Sequence, residues 1–169
     1  GRKLEDALHY YGLNMPIHRL FVAGRQHTGI PIHPTHEVSD ISFANEGMDQ
    51  VHELLQKAKD TGRLPQSYYS HPLVSGSPAG CDVFPVALYM DAVSFVRHDS
   101  AMGVWVHCIL LDTHHLIAVF RKSELCQCSC RHWCSYVHLF ECLRWSFAAM
   151  GAGVWPSCRH DGSPFAEHD

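Results

Sequence analysis

Four cysteines within a short stretch form the part of the sequence best suited to chemistry. They are Cys126, Cys128, Cys130 and Cys134, in the pattern C-x-C-x-C-x3-C. Zinc binds four such thiolates in a tetrahedron, at about 2.3 Å from each sulfur. Exposed free thiols at this density would oxidise readily. The run therefore predicts a metal centre, and zinc in it would be structural because four protein ligands leave no open position for water.

Two histidines near the run are alternative ligands. His132 lies inside the run, and His138 follows Cys134 by four residues, which would place both side chains on one face of a helix. The spacing differs from the paired C-x2-C knuckle, so the pattern leaves open which four donors bind. A redox-active pair of thiols is the other use that these residues allow.

The cysteine run lies between a strand-rich segment and an apolar helix. Phe84–Phe95, Met102–Leu111 and His115–Phe120 are short, apolar and rich in β-branched or aromatic residues, which predicts three strands. Their connections are short enough for an antiparallel meander. Broad helical periodicity after the run predicts a helix over Ser135–Gly151.

The rest of the chain is expected to form an N-terminal arm and a linker. We expect a helical and irregular region over 1–63, a Pro-, Ser- and Gly-rich linker over 64–82, and an organised domain over 83–169. Within the first region, Asp49–Lys59 predicts an amphipathic helix, Gly1–His9 a short helix and Gly24–Val38 an irregular loop. The predicted fold class is therefore α+β.

Composition restricts the classes of partner. Apolar residues make up 46% of the 169 and charged residues 18%, with a net charge of −4 when the histidines are neutral. There is no general basic field for nucleic acid, and no apolar stretch long enough to span a membrane. The clustering of the cysteines favours metal binding in a reducing, intracellular compartment over disulfides. Gly1 and the polar end at Asp169 suggest a piece of a longer protein.

Asp91, at the end of an apolar strand, is the candidate catalytic residue. A carboxylate there either begins a turn or takes part in binding Mg²⁺ for phosphoryl transfer. The order of a strand with a terminal aspartate, two antiparallel strands and a helix is similar to the opening of the ribonuclease H-like fold of transposases and integrases. The segments that resemble mobile-element proteins are Val83–Asp91, Arg121–Cys126 and Arg159–Gly162.

This resemblance implies that Asp91 is the first Mg²⁺ ligand, that the chain contacts DNA and that the protein is nuclear. It also implies a zinc insertion beside the core. The second family aspartate should follow a fourth strand, which the pattern does not predict, and Asp161 lies in a polar stretch. We therefore expect a transposase-like fragment that is inactive alone. The alternative is a non-catalytic, zinc-stabilised α+β module that binds protein or nucleic acid.

Overall fold

A five-stranded antiparallel sheet organises the protein in a computed structural model, which describes residues 18–22, 28–78, 80–97 and 99–165. The strand order is β1-β2-β5-β4-β3. The strands are β1 His18–Val22, β2 Thr28–Ile32, β3 Val86–Val96, β4 Asp99–Cys108 and β5 Thr113–Arg121. The helices are α1 Thr35–Glu46, α2 Met48–Asp60, α3 Gln66–Tyr69, α4 Pro72–Gly76 and α5 Trp133–Ala152, with a 3-10 turn at Lys122–Glu124.

The predicted meander is confirmed in β3, β4 and β5. β3 pairs with β4 from Val86 opposite Cys108 to Val96 opposite Asp99, and β4 pairs with β5 from Ala101 opposite Arg121 to Cys108 opposite Thr113. The β4–β5 register shifts between Val104 and Trp105, which marks a bulge. The α+β class and the helix that follows the meander are also confirmed. A ribonuclease H-like core remains a prediction.

The long helix α5 covers one face of the sheet. Its buried side chains include Leu139, Cys142 and Leu143, which pack with Val104 and Val106 of β4. Both valines are completely buried. Burial of this apolar area is the main force that holds α5 on the sheet, at about 25 cal/mol per Å².

The irregular loop predicted over Gly24–Val38 is wrong in part, because this stretch contains β2 and the first turn of α1. Gly and Pro at positions 29 and 31 weaken a strand pattern, which is why the sequence did not predict one. β2 pairs with β1 over five residue pairs but with β5 only at Ile32 opposite Ala118. Ile32 and Val38 lie in the same core as Val104, so strands on both sides of the predicted linker join one sheet.

The amphipathic helix predicted over Asp49–Lys59 is confirmed as α2. Its Leu55 and Ala58 form a second, smaller core with Leu64 and Tyr68. The Tyr68 hydroxyl donates to the Val83 carbonyl at 2.7 Å. The predicted linker thus contains α3 and α4, and Tyr68 attaches it to the chain that leads into β3. The helix predicted at Gly1–His9 lies outside the described residues.

A hydrogen-bond cluster centred on Ser146 joins α5 to the start of α1. Pro34 precedes α1 and provides no side-chain cap for it. Instead, the His36 backbone N–H donates to Ser146 Oγ at 3.0 Å, and Ser146 Oγ lies 2.6 Å from Thr35 Oγ1 and 2.8 Å from His36 Nδ1. Thr35, His36 and Ser146 are all buried. A side chain 110 residues away in the sequence therefore caps α1.

No helix within the described residues is long and apolar enough to cross a membrane.

Candidate metal centre

The chain enters the cysteine loop, residues 125–134, from a firmly held turn. Asp99, at the start of β4, accepts hydrogen bonds from the Arg121 guanidinium at 2.8 Å and from the Ser123 N–H and hydroxyl at 3.1 and 2.9 Å. Burial alone would raise the pKa of Asp99, but the hydrogen bonds from Ser123 and Arg121 lower it below its ordinary value. The carboxylate therefore stays ionised and fixes the 3-10 turn after β5.

Two hydrogen bonds between side chains and the backbone then fold the loop back onto the start of α5. The Cys126 N–H donates to Ser135 Oγ at 2.9 Å, and Nδ1 of His132 donates to the Cys126 carbonyl at 2.6 Å. Arg131 and His132 have left-handed backbones, with φ of +55° and +69°. This sharp reversal brings the start of the run next to the first turn of the helix.

The four cysteines of the run converge. The Sγ–Sγ distances are 2.9 Å for Cys128–Cys130, 3.1 Å for Cys130–Cys134, and 3.3 Å for both Cys126–Cys130 and Cys128–Cys134. All four sulfurs lie within 4.8 Å of one another. The cysteines are free thiols. This group can hold a metal ion.

Protonation is uneven within the cluster. Cys130 accepts hydrogen bonds from the Cys128 thiol, from the Cys134 N–H and from the Cys134 thiol, which lowers the pKa of Cys130 to about 6. Hydrogen bonds to Cys130 and Cys128 raise the pKa of Cys134 to about 12. One thiolate is therefore stabilised at the centre of the cluster at neutral pH, which favours the arrival of a cation.

The two histidines proposed as substitute ligands lie outside this group of donors. His132 uses Nδ1 to hold the Cys126 carbonyl. His138 pairs with Glu141 on α5, with its Nδ1 3.5 Å from Oε2. The geometry therefore favours the four cysteines as the ligand set.

The prediction that Asp91 ends its strand or begins a turn is wrong: Asp91 lies in the middle of β3, the edge strand of the sheet, where its carboxylate is exposed and needs no partner to offset burial. Its Oδ1 accepts the Ala92 N–H at 2.8 Å, and its Oδ2 accepts the Tyr89 hydroxyl at 3.1 Å. Among the described residues, the groups of three or more potential ligands do not include Asp91 or Asp161. Asp161 accepts hydrogen bonds from the N–H and hydroxyl of Ser163. The structure does not bring the two aspartates together in a described ligand group.

The sequence did not predict a second group of ligands, formed by His107, Asp112 and His114 at the turn between β4 and β5. His107 interrupts the apolar β4 pattern, which was the one available signal. The group forms through the pairing of His107 with His114 and the left-handed backbone of Asp112, neither of which the sequence pattern specifies.

Comparison of the chain with protein-family models, with curated proteins and with solved structures gives no match.

Proposed function

We propose that the chain is a non-catalytic α+β binding module whose cysteine loop holds a structural zinc ion. The convergence of four Sγ atoms supports this proposal, because zinc is the common biological ion that prefers four thiolates. Sulfurs about 2.3 Å from zinc are about 3.8 Å apart in a tetrahedron. The contacts of 2.9 to 3.3 Å need to open by less than about 1 Å to accept the ion.

The role is structural because the ligand set closes the coordination sphere. Four protein thiolates leave no position for water or substrate. The loop itself has little regular structure, and it joins the 3-10 turn after β5 to the first turn of α5. Zinc bound to Cys126 at one end of the loop and to Cys134 at the other would fix the direction in which α5 starts relative to the sheet.

A partner protein fits the surface beside the loop better than a nucleic acid does. Trp133 and Phe140 on α5 are 59% and 37% exposed, and their ring centroids lie 5.9 Å apart. Exposed aromatic side chains of this kind are enriched at protein interfaces. The net charge of −4 does not favour a phosphate backbone.

Metal analysis of the full chain, purified in reducing buffer, tests the zinc centre. We expect one zinc per chain, lost when Cys128 or Cys134 is replaced by serine. Cys81→Ser is the matched control, because Cys81 is an exposed free thiol outside the loop. Chelation should also lower the melting temperature and increase proteolysis between residues 125 and 134.

Three results would count against the proposal. The first is protein that contains no zinc after reconstitution under reducing conditions. The second is zinc retained in both Cys128→Ser and Cys134→Ser. The third concerns the partner: saturable binding of a fluorescent DNA duplex at physiological salt would favour nucleic acid over protein.

The transposase-like origin, with Mg²⁺ at Asp91, remains a prediction, as does a nuclear location. It is supported by the order of the meander and the following helix. A DNA duplex that binds only with Mg²⁺, and not in Asp91→Asn, would favour it. Unchanged behaviour of Asp91→Asn would count against it.

A further inference from the structure

Two histidines face each other where β4 ends and β5 begins. His107 and His114 are direct partners in the antiparallel ladder. Their imidazole rings are stacked, with centroids 4.0 Å apart and planes 12° from parallel. The two strands therefore hold the rings face to face on one side of the hairpin.

The turn adds a carboxylate to this pair. Asp112 has a left-handed backbone, with φ of +52°, a conformation that aspartate adopts more readily than most residues do. This conformation brings Asp112 Oδ1 to 3.2 Å from His107 Nε2. One ligand atom from each of His107, Asp112 and His114 lies within 4.8 Å of the other two.

We propose that His107, Asp112 and His114 form a second metal site, specific for a divalent transition-metal ion that prefers nitrogen and oxygen ligands. Imidazole nitrogens and carboxylate oxygens bind such ions at about 2.0–2.2 Å, so two ligands on one ion are about 2.8–3.6 Å apart for bond angles of about 90–109°. The His107–Asp112 distance of 3.2 Å already falls in that range. The ion would replace the proton that these two atoms share.

The site differs in chemistry from the cysteine loop. It offers two nitrogens and one oxygen instead of four sulfurs, and three ligands leave coordination positions open. The Asp112 side chain is 90% exposed and that of His107 is 25% exposed. The ion would therefore exchange with solvent and keep room for water or for a ligand group from outside the chain.

Ni²⁺ is a suitable probe, because it favours nitrogen and oxygen donors and its paramagnetism broadens nearby NMR signals. The full chain would first receive one equivalent of zinc and then be titrated with Ni²⁺ by calorimetry. We expect one further ion to bind, with broadening confined to amides of the β4–β5 turn. His107→Gln and His114→Gln should each weaken this binding by more than about tenfold, since each removes a direct ligand.

His138→Gln is the matched control. His138 is also a surface histidine beside a carboxylate, but it offers only a pair of donors with Glu141. Its replacement should leave Ni²⁺ binding unchanged. The proposal is overturned if the double variant His107→Gln/His114→Gln keeps the parent affinity, if the broadening lies elsewhere, or if no further ion binds.

Discussion

Replacing Ser146 by alanine should destabilise the protein far more than the loss of one hydroxyl on a helix would suggest. The hydroxyl accepts the His36 N–H and contacts Thr35 Oγ1 and His36 Nδ1, in a region that water does not reach. Alanine cannot make these contacts, so α1 loses its cap and buried polar groups lose a partner.

The expected cost follows from the contacts. Loss of a helix cap costs about 1 kcal/mol. Two further buried hydrogen bonds contribute about 1 kcal/mol each, while the better helix propensity of alanine returns about 0.5 kcal/mol. We therefore expect a loss of about 2–3 kcal/mol, which corresponds to a fall in melting temperature of roughly 4–12 °C for a chain of this size.

Urea unfolding followed by far-UV circular dichroism measures this loss. Ser157→Ala is the control, because Ser157 is exposed beyond the end of α5. Thr35→Val should be partly redundant with Ser146→Ala, so the double variant should lose less than the sum of the two single losses. A loss below about 0.5 kcal/mol in Ser146→Ala, or strict additivity with Thr35→Val, would refute the capping role.

Two further predictions concern surface carboxylates. Hydrogen bonds from Lys59 and His52 lower the pKa of Asp82 in the folded protein. The ionised Asp82 carboxylate therefore stabilises the fold fully above its unfolded pKa of about 3.9. This stabilisation is lost as the pH falls through the lower pKa of the folded state. In urea unfolding, Asp82→Asn should lower the free energy of unfolding by up to about 1 kcal/mol at pH 7 and by progressively less below about pH 4. An equal loss at pH 7 and below about pH 4 would contradict a role for the charge of Asp82. Asp91→Val should promote self-association, seen as a concentration-dependent mass increase in light scattering, because it uncovers the Ala92 N–H on an apolar edge strand. An unchanged mass across a hundredfold range of concentration would show that Asp91 does not protect this edge.

Local patterns in the sequence predicted the elements that depend on local chemistry. Periodicity identified α2 and α5, and short β-branched runs identified β3 to β5. The cysteine cluster was predictable for the same reason, since its four ligands are neighbours in the chain.

Features made by distant residues could not be predicted in this way. The pairing of β2 with β5 depends on a single residue pair, Ile32 with Ala118, and Pro31 obscures the strand. The cap that Ser146 provides for α1 has no signature near either helix. The approach of Asp112 to His107 depends on one positive φ, which many aspartates in turns do not adopt.

The short span of the cysteine loop has a consequence for how the protein is made. The four cysteines between Cys126 and Cys134 can bind one ion without any contact to the sheet, because closing so short a loop costs little chain entropy. A growing chain could therefore load its metal before α5 is complete, and the loaded loop would set the direction in which that helix grows. The same loop would also retain metal after unfolding, so the ion would stabilise the fold by less than its full binding energy.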